Sequence, residues 1–493
     1  MIRTATSFES GNKYLQGIFD SARDVLLSSV KTVGERRVLT TSADGDTMTL
    51  NSEVLGASTL ACFDIEAALD TVKAFLATRR KDGRLADSIR LSDGEVFPNY
   101  DILTGFCFAE EALGLYYLTR KKDHAYLAAL LETLEALDRY LWEHHDLNFN
   151  NCLEVFSEAE MEEGKNTSRF SPIKVNHYGE VRTVSPFPIE TGDLMAFDVS
   201  VRHTIARIYA LKGDNAGARE WVLRAIDVQS HMKQFMWVED VGACFDHDYR
   251  GSLIDVLTIN NLFMMYYGAF DREMADAFVS RHLMDPKSFG TAMPLPTISF
   301  RDRHFVNDDR PNFNGQPRGM TYRRAIGALE KYGHFSCLGT IGQKFLEAVG
   351  QHFAYTEQFN PFTGEAVGKS KQSAYMPSAS AALEFVARFF GVRPELDRMV
   401  WGALGHEEGE SSTYRFTWGS EEYRVLCESE TTTGFLNDRR LFAVTNGMRV
   451  VTDFYGDDPW IVNITDHTID GVFVYRNRTF RFTLGPNERM NFD

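Results

Sequence analysis

The segment Glu357-Gln358-Phe359-Asn360-Pro361-Phe362-Thr363-Gly364-Glu365 places a carboxylate directly before a turn. Apolar periodicity predicts a helix that ends near His352, and Asn-Pro followed by Thr-Gly is typical of a tight turn. Such a turn would aim Glu357 at whatever lies above the helix ends, where it could act as a general base. The simpler interpretation is a glutamate near a helix C-terminus whose side chain is only solvated.

Further segments become informative when they are taken together, in their order along the chain. They are Asp193-Leu194-Met195-Ala196, Met236-Trp237 with Asp246, Phe289-Gly290 through Leu295-Pro296-Thr297 with Asp302 to Phe305, and Pro317-Arg318-Gly319-Met320-Thr321-Tyr322 leading to Leu329 and Tyr332-Gly333. With the Glu357 segment, they resemble the (α/α)6-barrel glycosidases of the trehalase and glycoside hydrolase family 63 group, which includes mannosyl-oligosaccharide glucosidases and mannosylglycerate or glucosylglycerate hydrolases. The resemblance covers most of residues 50–390. It implies a mainly α fold, an (α/α)6 toroid of helical hairpins.

The resemblance also implies a pair of catalytic carboxyls. In that group a Glu-x-Phe/Tyr-Asn/Asp-Pro-x-Thr-Gly segment carries the catalytic base, which corresponds to Glu357 here. An inverting glycosidase also needs a protonated carboxyl roughly 6.5–9.5 Å from the base. The group takes this acid from a loop that corresponds to residues 162–170, but its acidic position is occupied by Asn166, and an amide cannot donate a proton as a carboxylic acid does. The acid is therefore expected within residues 158–163, with Glu163 and Glu162 as the candidates.

Substrate contacts are implied for a further set of residues by the same resemblance. They are Asn166, Asp193, Trp237, Arg318, Tyr322 and Asn360. The planar fork of Arg318 suits hydroxyl pairs or a carboxylate, although a helix-initiating arginine in a surface ion pair is an equal alternative. The group's tryptophans are absent, since Leu50-Asn51-Ser52 replaces a Trp-Asp pair, and Pro317 and Tyr322 replace two more. Fewer stacking platforms imply a different substrate.

The elements that would position these residues follow from periodicity. Apolar residues spaced by three and four predict roughly eleven or twelve helices from about residue 10 to residue 390; one stripe is Leu127, Leu130, Leu134, Leu137 and Leu141, and another is Trp221, Ala225, Val228, Met232 and Phe235. Long polar segments at about 146–192 and 285–317 are expected to form a pocket. Alternation after about residue 410 predicts strands. The predicted domains are a barrel with an N-terminal helix over residues 1–405 and a β-sheet module over residues 406–493.

Composition limits the class of partner. The 493 residues carry a formal net charge of −17, which disfavours nucleic acid and anionic membranes. No apolar run reaches eighteen residues and the first residues do not resemble a signal peptide, so a cytoplasmic protein is expected. The six cysteines are expected to be buried thiols.

Asp146-x-Asn148-x-Asn150 opens like a calcium loop, but Asn151 and Ser157 occupy the positions where such a loop requires Gly and Glu. The sequence therefore predicts no bound metal, and it predicts no cofactor.

Two hypotheses remain open from the sequence. The first is a glycoside hydrolase, inverting, that cleaves an α-glycosidic bond in a small glycoside or oligosaccharide. The second is a sugar-binding protein, an isomerase or a lyase on the same scaffold that has lost the hydrolytic acid at Asn166. Fold alone cannot separate them, and the oligomeric state is left open.

Overall fold

The computed structural model describes residues 2–92, 94–103, 107–160, 169–177, 180–368 and 374–492. Helices dominate up to residue 390. Within the described residues there are twelve α-helices: α1 (Lys13–Ser28), α2 (Leu50–Leu60), α3 (Ile65–Leu76), α4 (Ala109–Leu118), α5 (His124–His144), α6 (Gly192–Leu211), α7 (Asn215–Phe235), α8 (Asn260–Tyr266), α9 (Arg272–Phe278), α10 (Gly319–Tyr332), α11 (Phe335–Gly350) and α12 (Met376–Phe390). A π-helical turn at Val279–Leu283 extends α9.

The odd-numbered helices are amphipathic and mostly begin with a side-chain cap. Asn12, Asp64, Asp123, Asp214 and Asp271 each precede one of α1, α3, α5, α7 and α9 and accept a hydrogen bond from a backbone N–H of its first turn. The predicted leucine stripe of α5 is buried throughout. In α7 the first four residues of the predicted stripe are buried, whereas Phe235 is exposed. These helices therefore cover the outside of the helical body.

The even-numbered helices lie inside. Every residue of α12 is buried, and α6 is buried over most of its surface. Their contacts follow a cyclic order in which α2 packs on α4, α4 on α6, α6 on α8, α8 on α10, α10 on α12, and α12 on α2 again. At three of these helices the first backbone N–H donates to a backbone carbonyl of a segment distant in sequence. Leu50 donates to the carbonyl of Asp87, Gly319 to that of Glu357, and Met376 to that of Thr41. Long connections thus end at these N-termini.

Strands occupy the C-terminal part and short sections of the helical part. Their bounds are β1 (Thr4–Ser10), β2 (Val30–Val33), β3 (Arg36–Leu39), β4 (Thr47–Thr49), β5 (Ser88–Ser92), β6 (Glu95–Asn99), β7 (Glu154–Val155), β8 (Ile173–His177), β9 (Glu180–Val184), β10 (Ile189–Glu190), β11 (Trp237–Val238), β12 (Ala243–Cys244), β13 (Val392–Glu395), β14 (Arg398–Ala403), β15 (Ser412–Trp418), β16 (Glu421–Cys427), β17 (Thr431–Leu436), β18 (Arg439–Thr445), β19 (Met448–Thr452), β20 (Trp460–Asn463), β21 (Ile469–Tyr475), β22 (Arg478–Leu484) and β23 (Arg489–Asn491). All ladders among these named strands are antiparallel.

The C-terminal strands form two facing sheets. One has the order β1-β15-β16-β17-β18-β21-β22, the other β13-β14-β19-β20-β23, and β13 and β14 pack on β15, β16 and β17. The sheets begin at Val392, directly after α12, which is earlier than the predicted boundary at residue 406. The N-terminal strand Thr4–Ser10 also joins them, because it pairs with Ser412–Trp418. The strands β1 and β13 were not predicted, because their sequences, TATSFES and VRPE, lack a strong alternation of apolar and polar residues.

Among the described residues, none of the helices has the length and apolarity needed to cross a membrane.

Candidate active site

Arg318 and Glu357 meet where α10 begins. Residues 317–319 lie antiparallel to residues 357–359, with Gly319 N–H donating to the Glu357 carbonyl at 3.0 Å and Phe359 N–H to the Pro317 carbonyl at 2.9 Å. This pairing brings Arg318 Nη2 within 3.0 Å of Glu357 Oε1. The arginine side chain is 11% exposed and the glutamate side chain 48%. The carboxylate is thus held on one oxygen and open to solvent.

The turn after Glu357 is built by Asn360. Its Oδ1 accepts hydrogen bonds from the backbone N–H groups of Phe362 at 2.9 Å and Thr363 at 3.3 Å. Gly364 closes the turn with a φ of 74°, a conformation that favours glycine. The predicted tight turn is present. The side-chain oxygen of Asn360 therefore stabilises the turn. The contact of Asn360 with substrate stays a prediction.

Tyr375 completes the surroundings of the pair. It directly precedes α12, its hydroxyl lies near Ser52 of α2, and Arg318 and Glu357 are close enough to act on its charge. Burial raises the pKa of the Tyr375 hydroxyl; Arg318 opposes this, whereas Glu357 and Glu53 reinforce it. The phenol therefore stays protonated and is able to donate a hydrogen bond.

A second ionic cluster lies at the N-terminal ends of α6 and α8. Asp193, in the first turn of α6, accepts from Arg169 Nη1 at 2.9 Å and from Asn260 Nδ2 at 2.6 Å. The Nε of Arg169 donates to Asp246, whose other oxygen accepts from Gly192 N–H at 3.2 Å. Burial alone would lower the pKa of Arg169, but Asp193 and Asp246 raise it above its usual value. This cluster fixes the helix starts against the segment that begins at Arg169.

Two of the predicted substrate contacts are fully buried. Asp193 has no exposed surface, and neither has Tyr322, whose hydroxyl donates to the Pro294 carbonyl at 2.5 Å. The Tyr322 ring stacks on Phe345 with 4.3 Å between centroids. Direct contact with a substrate does not fit this burial, so both residues support the site from behind. The sequence could not reveal this, because position in a motif does not report depth.

Trp237 is partly exposed at the end of α7. Its Nε1 donates to Glu239 at 2.7 Å, and its ring meets Phe270 edge to face with 5.6 Å between centroids. A face of the indole remains accessible to solvent. The structure does not place this ring in contact with Arg318 or Glu357.

The candidate proton donors fall on a segment that is only partly described. Glu162, Glu163 and Asn166 lie outside the described residues. Within the described part of the predicted range, Glu158 is exposed, and Glu160 accepts a hydrogen bond from Phe156 N–H at 2.7 Å. Phe170, just after the part that is not described, is buried and stacks on Phe187.

A cationic cavity of about 300 Å³ adjoins the Arg169 cluster. Its lining includes Arg169, Lys174, Arg250, Arg303 and His304, together with the carboxylates of Asp248 and Asp255. Asp248 neutralises Arg250 through two hydrogen bonds, and Asp302 accepts from His304. Among the described residues, Lys174 and Arg303 have no carboxylate partner. The cavity can therefore accept a negatively charged group.

The same long segment, residues 285–317, connects this cavity with the Arg318 pair. The Thr297 carbonyl accepts from Ile259 N–H at the start of α8, and Gln358 Nε2 donates to the Asn312 carbonyl at 3.0 Å. The guanidinium of Arg318 lies 4.7 Å from the centroid of Phe313. Because α8 packs on α10, the cavity and the Arg318 pair lie at the same ends of neighbouring inner helices.

Sequence reasoning missed Arg169 and Tyr375. Arg169 lies within the loop of residues 162–170, where the motifs drew attention to the acidic positions, and nothing near it in the sequence indicates Asp193 as its partner. Tyr375 precedes Met376-Pro377, a helix start in which proline occupies the first turn. An aromatic residue at that place is a weak signal, since it is as often a packing residue.

The helical body matches known proteins in fold. It is similar to a GH63 mannosylglycerate hydrolase from Thermus thermophilus, with a TM-score of 0.61 and 15% identity over 75% of this chain and 100% of that one. It is also similar to the neutral trehalase Nth1 from Saccharomyces cerevisiae, with a TM-score of 0.51 and 12% identity over 71% and 73%. A GH78 family rhamnosidase of Bacillus sp. GL1 has a TM-score of 0.57 and 11% identity, over 85% of this chain and 40% of its own.

At these identities the similar structures show the fold alone, and no curated protein matches the chain. The family model of the mannosylglycerate hydrolase MGH1-like glycoside hydrolase domain matches residues 50–375. That range holds the inner helices α2 to α10, the cavity and the Arg318–Glu357 pair. Since it covers more than half of the chain, the protein belongs to the family of the mannosylglycerate hydrolase MGH1-like glycoside hydrolase domain, and it is a glycosidase.

Proposed function

We propose that the twelve helices form an (α/α)6 toroid, and that the end where the inner helices begin carries an inverting glycosidase site. The cyclic order of contacts from α2 through α12 and back to α2 supports the toroid. The Arg318–Glu357 pair carries the proposal for the site, because it puts a solvent-facing carboxylate at the start of an inner helix.

Glu357 is the general base in this mechanism. Arg318 holds Oε1, while Oε2 has no hydrogen-bond partner among the described residues and is free to orient a water molecule. As the water oxygen attacks the anomeric carbon, its proton passes to Glu357 and the bond to the leaving oxygen breaks. Tyr375 donates a hydrogen bond in the same place, toward the water or a sugar hydroxyl. The configuration at the anomeric carbon inverts.

The proton for the leaving oxygen comes from a glutamate within residues 158–163. Glu160 already accepts from a backbone N–H, which favours Glu162 or Glu163 as the donor. Asn166 then binds a hydroxyl rather than moving a proton.

A small α-glycoside with an anionic group is the proposed substrate. The observation that favours it is the cavity lined by Lys174 and Arg303, whose charge suits a carboxylate. The family model carries the name of a mannosylglycerate hydrolase, and glycerate is such a carboxylate.

The direct test is a screen of hydrolysis followed by the stereochemistry of the product. The purified protein is incubated with 4-nitrophenyl α-glycosides and with α-mannosylglycerate and α-glucosylglycerate, and proton NMR records the first anomer released. The proposal expects the β-anomer to appear first. Release of the α-anomer would contradict inversion, and saturable binding without any hydrolysis would contradict the proposed reaction.

A further inference from the structure

A cavity of about 370 Å³ lies at the opposite end of the helical body from Arg318. It is bounded by α4 from Glu110 to Leu118, by α10 from Arg323 to Lys331, by the end of α8, and by the hairpin of β13 and β14. Lys331 of its wall is thirteen residues along α10 from Arg318, about 20 Å at the rise of an α-helix. Its volume falls within the range of small-molecule sites. We call it the basal cavity.

Glycines in two helix interiors face the basal cavity. A Cβ atom on Gly114, in the middle of α4, would meet nothing within 4 Å among the described residues, and one on Gly327 of α10 would meet Tyr266 at 3.0 Å. Glycine is an unfavourable residue inside a helix, and an alanine or leucine at position 114 would be accommodated by the space present. The absence of a side chain at Gly114 therefore keeps this volume open.

The polar wall of the basal cavity has donors in excess of acceptors. Glu330 accepts from both Arg388 and Arg449, and Glu111 accepts from Arg323 and from the Tyr266 hydroxyl. Glu110 and Glu395 of the wall are likewise paired, with Lys331 and Arg388, whereas Asp397 has no cationic partner among the described residues. The Nε atoms of Arg323, Arg393 and Arg449 are buried and have no hydrogen-bond acceptor among the described residues.

These three arginines are each more than nine-tenths buried and line the basal cavity. Arg398, also in the wall, has no carboxylate partner in the part of the chain that the structure describes. Arg393 and Arg449 each donate to a carboxylate through Nη1, whereas Nη2 of each has no acceptor among the described residues. An acceptor brought by a ligand would therefore be favourable. In a chain with a net charge of −17, a place where cationic donors remain unpaired is suited to an anion.

Apolar side chains form the rest of the wall of the basal cavity. Leu115 and Leu118 of α4, Phe335 of α11, and Val451 and Trp460 of the smaller sheet contribute to it. An inorganic ion would leave this surface uncovered, whereas an organic anion would cover it.

We propose that the basal cavity binds a small organic anion, a carboxylate or phosphate monoester with an apolar body, at a site separate from the glycosidase site. The acidic head accepts from Arg398 and from the N–H groups of Arg393 and Arg449 that their carboxylate partners leave without an acceptor, and the apolar body lies against α4 and the smaller sheet. The site does not depend on the proposed reaction, because neither Arg318 nor Glu357 lines it.

The test is calorimetric titration of the full-length protein with phenyl phosphate, benzoate, inorganic phosphate and phenol. Gly114→Leu fills the cavity, and Gly114→Ala is its matched control. The expected result is saturable binding of phenyl phosphate or benzoate at one site, weakened at least about tenfold by Gly114→Leu and about fivefold by Arg398→Gln, and kept by Gly114→Ala. The tighter of the two probes identifies the head group.

The same variants supply the checks. Gly114→Leu should raise the unfolding temperature and leave aryl glycoside hydrolysis unchanged, which shows that it folds and that the two sites are separate. The proposal is overturned if neither organic anion binds below about 10 mM, if Gly114→Leu binds them as wild type does, or if inorganic phosphate or phenol binds as tightly as phenyl phosphate.

Discussion

Arg449 of β19 donates a hydrogen bond to Glu330 of α10, and so ties the smaller C-terminal sheet to an inner helix. The same carboxylate accepts from Arg388 of α12 at 2.8 Å. Burial would raise the pKa of Glu330, but Arg388 and Arg449 together hold it below its usual value. One buried carboxylate therefore connects two inner helices and the β-sheet module.

Glu330→Gln should destabilise the whole chain. The variant leaves two buried guanidinium groups facing a neutral amide, and breaking a buried ion pair costs about 3–5 kcal/mol. The measurement is the free energy of unfolding in urea, with the exposed Glu408→Gln as control. A loss equal to that of the control would mean that the sheet module is not held through Glu330.

The stability of the fold should also depend on pH through Glu53. Burial raises the pKa of Glu53 to about 7 from an ordinary value of 4.5, although hydrogen bonds from Thr41 and Thr49 lower it. The folded state then binds this proton more tightly than the unfolded state does. The stability that Glu53 contributes is present below pH 4.5 and is lost as the pH rises to about 7.

Glu53→Gln removes this dependence. Between pH 4.5 and 8 the variant should gain about 3 kcal/mol of stability relative to wild type. Urea unfolding at the two pH values measures the difference, and the exposed Glu95→Gln serves as control. If both proteins lost equal free energy across this range, the buried carboxyl would not be the titrating group.

Tyr375→Phe tests the hydrogen-bond donor that we propose for the site of Glu357. The variant keeps the ring and removes the hydroxyl, so kcat/KM should fall by about 10- to 100-fold while the unfolding temperature stays near that of wild type. The exposed Tyr455→Phe is the control for a lost phenol elsewhere. Unchanged kcat/KM would show that the Tyr375 hydroxyl only packs against Ser52.

Arg303→Ala tests the substrate class. It should raise KM for an acidic α-glycoside by about tenfold and change KM for a neutral aryl α-glycoside less than about twofold. Arg301→Ala is the matched control, because Arg301 lies on the same segment but forms a surface ion pair with Asp285. An equal effect of Arg303→Ala on both substrates would argue against an anionic group in this cavity.

Much of the helical body could be predicted because its signals are local. The leucine spacing of α5 defines its buried face, and aspartates or asparagine precede five of the outer helices. The turn after Glu357 follows from Asn360, Pro361 and Gly364. The motif resemblance also placed Arg318 and Glu357 in one site, where the structure joins them.

Other features depend on contacts between distant segments. Strand β1 pairs with β15 across some four hundred residues, and nothing within TATSFES indicates this. Glu384 and Arg388 look like surface residues by type, yet both are buried, because Arg393 and Glu330 of other elements neutralise them. The depth of Tyr322 was likewise set by Phe345 and Pro294, which no local pattern could supply.

The most direct test of the account is the turnover of Glu357→Gln, compared with Glu365→Gln, which alters an exposed carboxylate of the same turn. If Glu357 is the base, kcat should fall by about three orders of magnitude or more on natural and activated α-glycosides alike, because an activated leaving group does not replace the carboxylate that deprotonates water. Glu365→Gln should keep the activity of wild type. A Glu357→Gln protein that still turned over within about tenfold of wild type would contradict the account.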